Sequence, residues 1–147
     1  MKLRPRDVVS HQGRDFVVEG VLTYKFPGRT LSLARAVDGG VVRWIEPLVD
    51  VLDDRLLFFE DVTDVSLLTP PPAAVTYRGA SYVPRFSGSV LVEAEGDTGD
   101  RTSGPCEVWR YRAAGDVFLQ IEKWPSSTKV LVGQSAHKDM VSILPAS

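Results

Sequence analysis

The chain has 147 residues, 44% of them apolar and 24% charged, with a formal net charge of −2. That length suits one domain, or two very small ones, with a core of its own. The slight acidity excludes the broad basic footprint of a nucleic-acid-binding domain, and the single cysteine, Cys106, excludes an internal disulfide.

With no disulfide framework to demand an oxidising compartment, a cytoplasmic address is the expectation. The first residues, Met1-Lys2-Leu3-Arg4-Pro5-Arg6-Asp7, lack the apolar run of a signal peptide. No apolar stretch approaches the ~20 residues that a membrane-crossing helix needs.

Strand signals dominate in chain order. The stretch from Arg14 to Tyr24 is rich in β-branched and aromatic residues, and Pro27-Gly28 closes it with a turn. Leu31 to Val37 alternates apolar with small or polar residues, as a half-buried strand does. Asp38-Gly39-Gly40 supplies hairpin turn chemistry, and Val41 to Ile45 returns as the next strand. Between Ile45 and Leu56 the apolar positions also fit helical spacing, but loop and strand are favoured. Leu56 to Phe59 and Val65 to Leu68 are short strand candidates. Three prolines at 70–72 then mark a stiff, extended connector. Further strands are expected at Ala80–Pro84, Ser89–Glu95, Glu107–Ala113, Val117–Lys123, Thr128–Val132 and Met140–Leu144. Gly96–Gly104 reads as a long mobile hairpin loop.

A repeat runs through this pattern. Val9, Gly13, Phe16 and Val17 have counterparts sixty-six positions on at Val75, Gly79, Tyr82 and Val83. Arg43-Trp44 resembles Arg110-Tyr111, and Leu57-Phe58-Phe59-Glu60 resembles Leu119-Gln120-Ile121-Glu122, though at other spacings. Self-similarity of this kind suggests duplicated units. The expected fold is all-β: two related small modules, barrel- or sandwich-like, over residues 1–69 and 75–147, joined by a connector at 70–74 and packed as one unit. The expected core is Val9, Phe16, Val18, Val42, Trp44, Phe58, Tyr82, Leu91, Trp109, Tyr111, Leu119, Ile121 and Trp124.

Candidate chemistry is sparse. His11 and His137 are the only histidines and lie in no metal-ligand spacing, so no metal or cofactor site is expected. Cys106 has no base beside it in sequence, and no nucleophile-elbow motif is present. The carboxylates at Asp50, Asp53, Asp54, Glu60, Asp61 and Asp64 read as a solvated rim around a hydrophobic strand. In Trp109-Arg110-Tyr111-Arg112, strand alternation puts the two rings on one face and the two arginines on the other. An aromatic core face with an outward arginine pair is expected, and Arg110 with Arg112 forms a candidate docking patch for an acidic partner. Asp97 and Asp100 in the glycine-rich loop are candidate contacts as well.

Several of these strings, taken in order, resemble the DUF4178 family of bacterial proteins. They are Pro5-Arg6-Asp7-Val8-Val9 and Gly13-Arg14-Asp15-Phe16-Val17-Val18-Glu19-Gly20, then Tyr77-Arg78-Gly79-Ala80-Ser81-Tyr82, Val108-Trp109-Arg110-Tyr111 and Leu119-Gln120-Ile121-Glu122-Lys123-Trp124. The likeness spans almost the whole chain, and the stretches at Pro47–Asp54 and Gly96–Gly104 depart from it. The resemblance implies no catalytic residues. It implies a setting, because similar genes lie near spermidine-synthase-like proteins, small membrane proteins of the DUF350 type and phage-shock-type envelope-stress components.

The expected function is therefore a non-enzymatic binding or adaptor domain for a protein partner, accessory to a membrane-stress or polyamine-linked system. The alternative is a binder of a cationic metabolite such as a polyamine, held by Glu60, Asp61, Glu107 and Glu122 between aromatic rings. A hydrolase built on His137 or Cys106 is the weakest reading.

Overall fold

The computed structural model describes residues 2–47 and 54–146. Eleven strands follow one another: β1 (Val8–His11), β2 (Arg14–Phe26), β3 (Arg29–Asp38), β4 (Val41–Pro47), β5 (Arg55–Val62), β6 (Val75–Tyr77), β7 (Ala80–Gly96), β8 (Gly104–Ala113), β9 (Val117–Lys123), β10 (Thr128–His137) and β11 (Val141–Leu144). A 3-10 turn, Lys138–Met140, precedes β11. All pairings are antiparallel. The order β2-β3-β4-β5-β10-β9-β8-β7 closes on itself through β7 and β2, which makes an eight-stranded barrel. Closure removes the open edges of the eight barrel strands and leaves only the short β6 and β11 at the ends of the sheet.

Each half of the chain contributes four consecutive barrel strands, so the prolines at 70–72 divide the chain in sequence and not in space. Each half also begins with a two-residue hairpin: β1–β2 turns at Gln12-Gly13, and β6–β7 at Arg78-Gly79. All four turn residues have positive φ, the geometry that matches the right-handed twist of the flanking strands. Both long strands then carry a register shift, between Val18 and Gly20 in β2 and between Pro84 and Phe86 in β7. The extra residue reverses the alternation. Phe16, Val18 and Tyr82 consequently pack outside the barrel, whereas Leu22, Tyr24, Val90 and Val92 pack inside it. The later resemblances do not fall on corresponding strands, since Arg43-Trp44 lies on the fourth strand of its half and Arg110-Tyr111 on the third.

The core has three parts. The barrel interior holds Leu22, Tyr24, Leu33, Trp44, Phe59, Val108, Trp124 and Leu131. One outer flank is covered by β1 and β11, over Val9, Phe16, Val18, Ala36 and Ile45. The other flank is covered by β6 and the segment leading to it, over Tyr82, Tyr111, Leu119 and Ile121, with the Tyr111 hydroxyl donating to the Pro72 carbonyl at 2.9 Å. The seam between β2 and β7 is tight where Gly20 faces Gly96. A Cβ on Gly20 would lie 2.3 Å from the Asp97 carbonyl oxygen.

Ten of the thirteen expected core residues are buried. Leu91 is not: it points outward from β7 and is 63% exposed, because the register shift inverted its side of the strand. Val42 and Trp109 are half-buried. Ala80–Pro84 and Ser89–Glu95 are parts of one strand, β7, and Val65–Leu68 is not a strand, although Val65 and Leu67 pack on the outer flank. Of the ambiguous stretch between Ile45 and Leu56, the ends are strand, and 48–53 lies outside the described residues, with Asp50 and Asp53.

Candidate functional site: the arginine-lined barrel mouth

Eight strands leave an interior just wide enough for side chains or one small ligand. Here side chains fill it, and many of them are charged. Glu122 on β9 is fully buried and accepts four hydrogen bonds: Tyr24 Oη at 2.6 Å, Gln120 Nε2 at 2.7 Å, Arg101 Nε at 2.8 Å and Trp124 Nε1 at 3.0 Å. Arg101 also grips Asp61 through both terminal nitrogens, at 2.7 and 3.0 Å, and its guanidinium stacks on Trp44. Trp44 Nε1 completes that end by donating to Asp61 at 3.1 Å. From the other side of Glu122 the chain runs through Gln120 to Arg110 Nε at 2.7 Å. Arg110 then forks onto Glu46 at 2.7 and 3.3 Å. No buried side-chain polar atom of the described residues lacks a partner. A fully satisfied network of this kind rigidifies the interior and fixes one arrangement of the wall.

The electrostatics follow from burial and pairing. Burial alone would push the Arg101 guanidinium towards losing its proton, but Glu122 and Asp61 outweigh that and hold it charged. Burial, reinforced by Glu122, drives the Tyr24 hydroxyl well above the usual tyrosine range. The same two causes raise the Cys106 thiol, so Cys106 faces the interior as an inert thiol. His137 lies at the far end of β10, hydrogen-bonded to Asp54 at 2.6 Å, and so at the opposite end of the barrel from Cys106.

The interior opens at one end. There the β2–β3 turn, the start of β7 and the β8–β9 turn surround an opening of about 410 Å³. Arg29, Arg55, Arg85, Arg110 and Arg112 line it against two carboxylates, Glu46 and Asp116, for a local charge of +3 on a chain of net −2. Phe86 sits between two guanidinium groups, 4.4 Å from Arg29 and 5.2 Å from Arg110. Arg112 pairs with Asp116 and stacks on Phe118. Arg55 reaches Ser135 at 3.1 Å and Asp116 at 3.6 Å. Arg29 and Arg85 have no carboxylate partner among the described residues. Arg110 uses three of its five N–H groups on Gln120 and Glu46, so one on each terminal nitrogen has no partner there.

Of the residues singled out from sequence, this mouth unites two, Arg110 and Arg112. Arg110 does not stand on an outer face as expected: it is buried at the base of the opening, because both faces of β8 are covered and the aromatic side packs on the outer flank. Glu122 is enclosed, and all four of its hydrogen bonds are internal. Glu60 lies on the outer face of β5, paired with Arg43 at 3.3 Å, and Glu107 is exposed on β8. Of the four carboxylates of the polyamine reading only Asp61 and Glu122 converge, and Arg101 occupies the space between them. Asp97 and Asp100 sit at the opposite end of the barrel, Asp97 capping the Gly99 amide and Asp100 paired with Lys129. Their loop is anchored, not mobile as expected, since Arg101 plugs into the interior and Thr98 bonds the Arg101 carbonyl at 2.6 Å.

Sequence reasoning missed Arg29, Arg55, Arg85 and Glu46. Arg85 is the bulge residue of β7, and a bulge re-aims its side chain out of the alternation on which strand reading depends. One opposed polar pair on β8 and β9 carried a usable signal, since Arg110 faces Gln120 across the ladder.

Among the described residues no helix is long and apolar enough to cross a membrane, and no group of three or more His, Cys, Asp or Glu side chains converges to hold a metal. The family model described as a domain of unknown function, DUF4178, matches residues 4–138 of the 147. No curated protein and no solved structure matches the chain.

Proposed function

The chain belongs to the DUF4178 family, and on that footing we propose that it is a non-enzymatic binding domain that receives an acidic segment of a protein partner at the arginine-lined mouth of its barrel. The observation that carries this reading is the local charge of +3 around an opening of about 410 Å³, opposite in sign to the chain as a whole. Arginines with unspent N–H groups bind carboxylates in forked pairs, and Phe86 and Phe118 give the same opening apolar surface for the stem of an acidic side chain. The inert Cys106 thiol and its separation from His137 favour binding over hydrolysis. The setting that goes with this reading is a cytoplasmic accessory role in a bacterial membrane-stress or polyamine-linked system, with the partner in a membrane-associated complex.

Calorimetric titration at low salt tests it, with an oligoglutamate peptide and spermidine as the two probes. The expected result is heat that saturates with oligoglutamate and not with spermidine. Reversing both free charges, Arg29→Glu with Arg85→Glu, should weaken the peptide roughly tenfold or more, at about 1 kcal/mol per exposed charge. Saturating heat from spermidine alone would overturn the reading in favour of a cationic metabolite.

A further inference from the structure

A second concavity, of about 380 Å³, lies on the outside of the barrel wall, over the β5–β10 pair. Its two walls are the tips of the two hairpins. His11, Arg14 and Phe16 on one side stand sixty-six positions before Tyr77, Ala80 and Tyr82 on the other. The floor repeats this in its own spacing: Phe58 and Glu60 on β5 stand seventy-four positions before Val132 and Gln134 on β10. The groove thus draws its lining from both halves of the chain, and it exists only because both halves close into one barrel.

The lining is aromatic and charge-balanced. His11 lies on the buried Phe58 ring, with centroids 4.4 Å apart and planes 19° from parallel. Burial lowers the pKa of His11, which favours the neutral ring. Each arginine at the rim has a carboxylate partner: Arg14 with Asp38 at 3.2 Å, Arg43 with Glu60 at 3.3 Å and Arg78 with Asp64 at 3.1 Å. Groups that could orient a ligand remain. Tyr82 is only 5% exposed, yet its hydroxyl bonds to no described residue. Since no fully enclosed polar side-chain atom is left without a partner, that oxygen must open on the groove it lines. The Gln134 amide is exposed at the same rim.

We propose that this groove is a binding site for an uncharged planar heteroaromatic ligand, stacked on His11 and oriented by the Tyr82 hydroxyl and the Gln134 amide. A volume of this size falls in the range of small-molecule sites, roughly 300–1,000 Å³. The His11 ring, backed by Phe58, supplies stacking surface, and the few convergent polar groups supply orientation. The arginine–carboxylate pairs leave the groove locally neutral, which favours a neutral ring over an ion. The site is independent of the mouth, which has the opposite character and opens at the end of the barrel.

The test is an amide NMR titration of the full chain with adenine as the neutral ring and benzoate as the anionic one. Adenine should give saturable shifts at His11, Arg78, Gly133 and Gln134, and benzoate should give weaker ones. Gln134→Trp, at an exposed position that tolerates the change, should fill the groove and weaken adenine at least tenfold. His11→Ala should weaken it as well, by removing the stacking face. The proposal is overturned if adenine shifts fail to saturate in the millimolar range, if they map to the amides of Arg85 and Arg112 at the mouth, or if Gln134→Trp leaves them unchanged.

Discussion

Replacing Arg101 by methionine should destabilise the fold far more than any exposed ion pair would. Arg101 is 1% exposed and contributes a cation to Glu122, which is fully buried. Methionine keeps most of the apolar stem but leaves Glu122 with three neutral donors and no counter-charge. Breaking a buried pair from one side costs about 3–5 kcal/mol, because a charge stays behind in a medium that solvates it poorly. The Asp61 arm adds little, since that carboxylate is 43% exposed and water replaces the lost partner. Against a total stability of ~5–15 kcal/mol for a domain, this is a large fraction. With a urea slope of about 2 kcal/mol/M, the unfolding midpoint should fall by roughly 2 M. The cause is separable by a double-mutant cycle. Glu122→Gln alone should also destabilise, whereas Arg101→Met with Glu122→Gln, which removes both charges, should cost clearly less than the sum of the single changes. A loss under about 1 kcal/mol for Arg101→Met, or strict additivity in the cycle, would refute the assignment of Arg101 as the internal counter-charge.

Gly20→Ala should cost about 1–3 kcal/mol, because the added carbon meets a backbone oxygen at the barrel seam, and a thermal melt with an unchanged midpoint would mean the seam is looser than drawn. Trp109→Ala should cost about 2 kcal/mol by urea unfolding, short of the ~3–5 expected of a fully buried ring, and no loss at all would place the ring on the surface. Acid should destabilise the protein through Asp54, Asp64 and Asp100, whose carboxyls are held below the usual range by hydrogen bonds from His137, from Tyr77 with Arg78, and from Lys129 respectively. Their folded-state values are depressed, so their contribution is present above the ordinary aspartate value of about 4 and is lost as pH falls through the lower folded values. Thermal midpoints at pH 7 and pH 3 check this: the triple Asn variant should lose less on acidification than the native chain, and equal losses would remove these three as the cause.

The all-β class and most of the strands are legible in the sequence because β-branched residues, glycine turns and period-two alternation are local signals. The hairpin turns at Gln12-Gly13 and Arg78-Gly79 were visible as a repeat for the same reason. The sidedness of the strands was not. Alternation says that Arg110 and Arg112 share a face, but β8 is covered on both faces, by the barrel interior and by the outer flank, and the pattern cannot say which cover is polar. Leu119 and Ile121 look like the inward residues of β9, yet Gln120 and Glu122 take the interior because Arg110 and Arg101 are there to receive them. Leu91 failed for a different reason: a one-residue bulge at Arg85 inverts everything after it, and nothing in a local window marks that bulge. Arg101 was hidden in a glycine-rich loop whose composition resembles a mobile one, and its tertiary ion pairs with Glu122 and Asp61 fix it.

The central claim is that the arginine mouth receives a protein partner. It is tested most directly by a crosslinked affinity capture from the native cell, with soluble and membrane fractions kept apart and the native chain run beside the Arg29→Glu, Arg85→Glu variant. The account predicts a reproducible partner, captured by the native chain and lost in a variant whose thermal melt is unchanged. Capture that survives the charge reversal, or no partner in either fraction at native expression, would contradict it.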